Sequence, residues 1–144
     1  MITGKNLIGK DLSAEGNVVY KTINPKLNIE NTWECTEATS DEINNAVELS
    51  WKAFKSFRNT TQSARAEFLN AIANEIEALG DELITTYCLE SGLPEGRAQG
   101  ERGRTIFQLR SFAEMLKTDA WKLTSHDKAN LDRTPIPMQD LRKS

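Results

Sequence analysis

Between Thr39 and Leu116 the apolar residues keep returning three or four positions apart, broken at three short punctuated sites. That rhythm is the period of an α-helix with one apolar stripe, and a stretch that keeps it cannot sit as a half-buried strand. The first such stretch opens with Thr39 and Glu42, whose side chains can each satisfy a free backbone donor in a capping box. Ile43, Val47, Ser50, Phe54 and Phe57 follow, widened by Ala46, Trp51 and Ala53. The spacing predicts a helix over 40–57 with a broad face turned to a core.

After "RNTTQ", with Thr61 as N-cap, a second helix is expected over 62–79, with Phe68, Leu69, Ile72, Ile76 and Leu79 on one side. Gly80 weakens its end and Asp81 can cap a third helix over 82–91, carrying Leu83, Ile84, Tyr87 and Cys88 on one face. The stop is well signed. Gly92 can adopt the left-handed closing conformation, Leu93 can fold back onto Cys88 or Tyr87, and Pro94 prevents continuation. A fourth helix is expected over 94–117, with Ala98, Arg102, Thr105, Leu109, Phe112 and Leu116 in line and Ile106 and Ala113 alongside.

The flanks read differently. In 1–39, "NLIGK" and "VVYKTI" are strand-like runs separated by the turn formers of "DLSAEGN", giving a hairpin or strand pair. Asn24-Pro25 then interrupts the chain, and "KLNIENTWECTEAT" has no clear period. In 119–144 the helical period is lost, and Pro135 and Pro137 favour an extended tail. The expected fold is mainly α: an N-terminal strand pair, four amphipathic helices and an extended tail.

The densest glycine cluster, "ESGLPEGRAQGERGR", invites a comparison with phosphate-cradling loops. Gly96, Gly100, Gly103 and Phe107 are spaced four, three and four apart, so they gather on one side of the fourth helix, nearly opposite Ala98, Thr105 and Leu109. A phosphate loop needs free N–H groups between a strand and a helix, whereas a helix precedes this segment and no Gly-Lys-Ser/Thr follows. The glycines fit a groove for close approach of another segment. Three interior glycines cost about 3 kcal/mol relative to alanines, so this helix needs a packing partner.

No catalytic, cofactor-binding or metal-ligating residue is assigned from the sequence. His126, in "TSHDK", has neighbours that do not make an oriented triad. Cys35 lies between Glu34 and Glu37, which disfavour a thiolate, and reads as a loop cysteine; Cys88 belongs to an apolar stripe. Arg97, Arg102, Arg104 and Arg110 are interleaved with Glu95, Glu101 and Glu114 at helical spacing, which fits an ion-paired face. Arg102 sits on the stripe and is expected partly buried against a carboxylate. A net charge of −3, with both signs mixed, gives no basic surface for nucleic acid or anionic lipid. No apolar run approaches the ~18 residues of a membrane span, and the start lacks the apolar core of a secretory signal. Two cysteines are too few for a disulfide framework, so a reducing, cytoplasmic setting is expected.

The order of landmarks resembles the N-terminal region of aldehyde dehydrogenases: "NLIGK", "INP", "TSDEINNAVELSWKAFKSFR", "ARAEFLNAIANEIEALGDELI", then "ESGLPEGRAQGERGRTIFQLRSFAEML". The run from Gly92 to Glu114 and the tail "DRTPIPMQDLRKS" are most similar to the 2,5-dioxovalerate (α-ketoglutarate semialdehyde) and fatty aldehyde dehydrogenase branch. One departure follows Asn24-Pro25, where the family often has a small Thr-Gly-Glu-like turn and this chain has Lys26-Leu27-Asn28. The resemblance implies NAD(P)-dependent oxidation of an aldehyde to the carboxylic acid, the substrate a semialdehyde such as 2,5-dioxopentanoate, or a fatty aldehyde. It implies a cysteine nucleophile after a Gly-Gln pair and a glutamate that activates water, neither of which falls in this chain. "ECTE" at Cys35 shares only Cys-Thr with that motif.

On this reading residues 1–144 are an N-terminal portion of the α/β aldehyde dehydrogenase fold, with strands and loops over 1–39, helices over 40–118 and the tail over 119–144. The nucleotide-binding and catalytic sheet is absent, and the chain alone is expected to be inactive and to bind no cofactor. Its expected partners are the rest of an aldehyde dehydrogenase chain or a homo-oligomer, not nucleic acid or membrane. The competing readings are a standalone helical interaction module and an anion-binding protein using the glycine–arginine helix.

Overall fold

The computed structural model describes residues 3–123 and 125–143, so the outermost ends of the expected strand and tail segments (1, 2 and 144) lie outside it. Four α-helices stand at its centre among the described residues: α1 (Ser40–Phe57), α2 (Gln62–Ala78), α3 (Gly80–Ser91) and α4 (Glu95–Leu116). Each of three antiparallel two-stranded ribbons is local in sequence: β1 (Asn6–Ile8) with β2 (Asp11–Ser13), β3 (Val19–Asn24) with β4 (Ile29–Thr36), and β5 (Ser125–Asp127) with β6 (Leu141–Lys143).

The helix starts follow their capping chemistry. Thr39 accepts from the backbone N–H of Glu42 at 3.2 Å while the Glu42 carboxylate accepts from the Thr39 N–H at 2.8 Å, completing the box. Thr61 accepts from the Ala64 N–H at 3.2 Å and opens α2 as expected. Pro94 is the N-cap of α4 rather than its first helical residue. Asp81 does not cap α3: the left-handed Gly80 (φ +54°) turns the chain directly after Leu79, and Asp81 falls inside the first turn.

Alanine decides how the helices meet. α2 and α4 run antiparallel, from Gln62 Nε2 donating to Asp119 at 3.3 Å at one end to Arg102 donating to the Gly80 carbonyl at 3.0 Å at the other. Between these ties Ala66 and Ala73 of α2 and Ala98, Ile106 and Ala113 of α4 are buried. Small side chains let two helix axes close to the short end of the ~8–10 Å packing range. The buried seam is therefore rotated from the larger stripe the spacing predicted: Phe68 of α2, its C-cap Leu79 and Phe112 of α4 stay exposed.

The correction is larger for α1. Its Ile43, Val47, Trp51, Phe54 and Phe57 form a face broad enough to meet a core, yet all five are exposed; α1 rests on the β1–β2 ribbon and, at its end, on α2 through the Phe57–Phe68 edge contact and Arg65, which donates to the Arg58 carbonyl at 2.7 Å. All five phenylalanines of the chain are exposed. The accessible surface is 11,199 Å² for 16.2 kDa, about half again the roughly 7,500 Å² of a folded monomer of that mass.

The strand pairing also differs from the expectation. "NLI" pairs with "DLS", which had been read as turn, and "VYKTIN" pairs with "IENTWECT", which had shown no period. Short local ribbons win because each closes over a few residues, at low entropic cost. The departure at Lys26-Leu27-Asn28 is accommodated by Asn24, whose side-chain oxygen accepts from the N–H groups of Lys26 (3.0 Å) and Leu27 (3.2 Å), and by Asn28 at φ 53°. The tail is not simply extended: a 3-10 turn at Ala120–Lys122 precedes β5, and an Asn130–Met138 bridge folds the segment back on itself.

Two predictions follow from these junctions. The Glu42 carboxylate joins α1 to β2: it also takes the Ser13 hydroxyl and, at 3.3 Å, the Glu15 N–H. The Ser13 bond first, and the Thr39 backbone donor next, hold its pKa down from 4.5 to about 2. A depressed carboxylate stabilises the fold fully above its unfolded value and loses that contribution as pH falls towards its folded value. Thermal unfolding should therefore show a loss of stability between pH 4.5 and about 2 that Glu42→Gln flattens; an unchanged profile in Glu42→Gln would contradict this. Gly92 closes α3 at φ +69°, and a Cβ there would lie 3.0 Å from Pro25 Cγ. Gly92→Ala should cost roughly 1–2 kcal/mol from the left-handed conformation alone, read as a lower urea midpoint at unchanged slope.

Candidate functional site

The glycine–arginine face of α4 was the strongest chemical candidate, and its geometry is that of a helix surface. Gly100 and Gly103 lie within continuous helix and Gly96 in its first turn, one to two turns away, so their N–H groups are not aimed together at a bound anion. An added Cβ at any of the three would meet nothing within 4 Å, so among the described residues no segment makes the close approach these glycines permit. A shallow hollow of about 350 Å³ lies on this side, walled by Gly103, Ile106, Phe107, Arg110, Ser111 and Glu114.

The arginines are engaged. Arg97 and Arg104 both reach Glu101, at 2.6 and 2.8 Å, and Arg110 reaches Glu77 at 2.7 Å and the Asn74 amide oxygen at 3.1 Å. The hydrogen bond from Arg104, then its charge, lowers the Glu101 carboxyl below the usual range, with Arg97 adding to the effect. Arg102 is half-buried as expected, but its partner is the Gly80 carbonyl and not a carboxylate. That choice is one of position: Gly80 is the first residue of α3, where the chain turns from α2, and its carbonyl accepts the guanidinium there.

The nucleophile and base candidates are dispersed. Cys35 is on β4 opposite Tyr20, half-buried, rather than in a loop. Cys88 is on α3, half-buried, at a cleft of about 570 Å³ shared with Lys26, Asp81, Thr85, Leu93 and Glu95. His126 is on β5, and its Nε2 lies 3.7 Å from the Asp140 carboxylate. Among the described residues no hydrogen bond or ion pair joins either cysteine to His126, so no base–nucleophile pair is assembled there. Among the described residues no three His, Cys, Asp or Glu side chains converge as metal ligands.

One polar cluster escaped the sequence reading. Glu90, near the end of α3, accepts from Trp33 Nε1 at 3.0 Å and from the Thr22 hydroxyl at 2.9 Å, and Thr22 in turn accepts from Asn31 at 3.0 Å. This docks the β3–β4 ribbon on the α3–α4 corner, beside the Gly92 turn. The partners lie 57 and 68 residues from Glu90, so no local spacing could have announced them.

The pieces are thus a thin helical core, outward apolar faces and ribbons that pin the corners. A similar fold exists in a solved protein. The crystal structure of a NAD-dependent benzaldehyde dehydrogenase from Corynebacterium glutamicum matches 94% of this chain and 28% of that one, with a TM-score of 0.74 at 20% identity, a likeness of fold. The α-ketoglutaric semialdehyde dehydrogenase 2 of Azospirillum brasilense is 48% identical over 105 residues, which are 73% of this chain and 20% of the relative. The α-ketoglutaric semialdehyde dehydrogenase of Acinetobacter baylyi is 43% identical over 108 residues, 75% of this chain and 20% of its own. The chain thus spans about a fifth of the length of the curated relatives it matches. The model of the aldehyde dehydrogenase family matches residues 12–136, from β2 through all four helices into the folded-back tail, and this chain belongs to that family.

Proposed function

We propose that this chain is the N-terminal scaffold of an NAD(P)-dependent aldehyde dehydrogenase that oxidises a semialdehyde, 2,5-dioxopentanoate, to the dicarboxylate. What carries the reading is the 48% identity over 105 residues to an α-ketoglutaric semialdehyde dehydrogenase. When bound, a nicotinamide supplies the acceptor for the hydride leaving the substrate carbon. The residues of this chain do not fit the dinucleotide: Gly100 and Gly103 are inside a helix that follows another helix, and the arginines beside them are held by Glu101, Glu77 and the Gly80 carbonyl. No step of the oxidation is therefore assigned to them.

The role assigned to 1–144 is to position. The strands and loops over 1–39, the helices over 40–118 and the tail over 119–144 act as one supporting layer. The outward faces of α1 and α4 carry the apolar area that a cofactor-binding sheet would cover. A second reading, a helical interaction module without catalysis, is favoured by the exposure of the α1 stripe.

Two measurements test the proposal. The chain alone, given 2,5-dioxopentanoate with NAD or NADP, should form no reduced nicotinamide. Neither dinucleotide nor phosphate should raise its melting temperature, where a ligand at a hundredfold excess over Kd would add about 2.7 kcal/mol. Mixed with the Azospirillum brasilense relative lacking its matching segment, the chain should restore nicotinamide reduction. Turnover by the isolated chain, abolished by Cys35→Ser, would overturn the scaffold reading; failure to complement would favour the interaction module.

A further inference from the structure

The two outward apolar faces of the chain differ in how their charges are paired. On and just after α4, Arg97 and Arg104 share Glu101, Arg110 holds Glu77 and Lys117 holds Glu114. On α1 the acids lie away from the seam of Ile43, Val47, Trp51, Phe54 and Phe57. Asp41 borders the hollow against the first ribbon, with Asn45 and Leu49, and Glu48 pairs with Lys52 at 3.7 Å. The cations lie on the seam itself. Lys55 Nζ is 5.4 Å from the centre of the Trp51 ring, and the Arg58 and Arg65 guanidiniums are 5.6 and 5.8 Å from the Phe54 and Phe57 rings. Arg65 is engaged by the Thr60 hydroxyl and the Arg58 carbonyl. Lys55 and Arg58 are exposed, and among the described residues no carboxylate pairs with either.

We infer that the protein segment covering the second half of this seam is acidic, with carboxylates that close on Lys55 and Arg58. An apolar cover over Trp51, Phe54 and Phe57 also takes water from the two cations resting on those rings. A purely apolar cover would strand two charges without partners, and burying an unpaired charge is among the costliest changes a structure can make. A carboxylate at each resolves this, and the Arg58 guanidinium can take one through two parallel hydrogen bonds. The net charge of −3 gives the whole chain no attraction for acids, so such binding belongs to this face alone. An anionic lipid surface would meet the same two cations, but it wants a wide basic face, and the Glu48–Lys52 pair beside the seam is neutral. The inference deepens the proposed function and rests on it for the claim that this face is covered; what it adds is the chemistry of the cover.

The test uses the whole chain and three synthetic peptides of about 18 residues, or five helical turns. They share one leucine–phenylalanine stripe and carry Glu, Gln or Lys along its flanks. By calorimetric titration the Glu peptide should bind in the micromolar class, roughly tenfold tighter than the Gln peptide, with the Lys peptide weakest. The preference should shrink between about 50 and 500 mM salt as screening shortens the reach of the charges. Lys55→Glu combined with Arg58→Glu, both at exposed positions, should leave the helical circular dichroism unchanged and reverse the order of the peptides. Phe54→Gln, which removes the middle of the seam, should weaken all three. Equal binding of the three peptides, or no binding of the Glu peptide, would overturn the inference, whereas failure of the proposed function is read separately from the complementation assay. Capture of the chain by phosphatidylserine vesicles, with indifference to the Glu peptide, would overturn it in favour of a lipid surface.

Discussion

The alanine seam between α2 and α4 is the constraint on which the remaining structure hangs. Ala73 and Ala113 are wholly shielded from solvent, and Ala66 and Ala98 nearly so. Methyl groups contribute little transfer free energy each. What they supply is close approach, through which two long helices gain dispersion contacts along their length. The polar ties at each end, Gln62 with Asp119 and Arg102 with the Gly80 carbonyl, fix the register of this pair. α3 is then held because it is covalently bracketed by both helices and drops Ile84 into the corner they make.

Beyond the seam the fold is held by polar pins more than by burial. Glu42 collects donors from Ser13, Glu15 and Thr39 and fastens the start of α1 to the first ribbon. Glu90 does the same for the second ribbon through Thr22 and Trp33. Such pins set direction without supplying the large apolar burial that normally offsets chain entropy. The consequence is a set of amphipathic helices with finished ends and unfinished faces, which is the pattern of a layer made to be covered. Family membership supports the proposal that the rest of an aldehyde dehydrogenase covers these faces.

The helix ends were legible because caps are written in neighbouring residues. Thr39 with Glu42, Thr61 alone, and Gly92 before Pro94 each act within one turn, and the observed bounds fall at or next to the expected ones. Which face is buried was not legible. Periodicity marks an apolar stripe but not whether anything meets it, and the Phe54–Phe57 side of α1 satisfies the pattern while lying open. Conversely, alanines score weakly as apolar, so the true seam looked like the margin of the α4 stripe. The ribbons were misread because three-residue strands carry too few alternations to set a register. The candidate chemistry was legible mainly as composition: the arginines are ion-paired, but the partner of Arg102 depended on a turn twenty-two residues away.

Amide hydrogen exchange on the isolated chain separates these contributions most directly, because protection reports local opening free energy. If the α2–α4 seam is the core, the slowest amides should lie in Ala66–Ala78 and Ala98–Ala113, and α1 beyond its first turn should exchange orders of magnitude faster. Equal protection of α1, α2 and α4, lost together in a single cooperative step, would contradict the account.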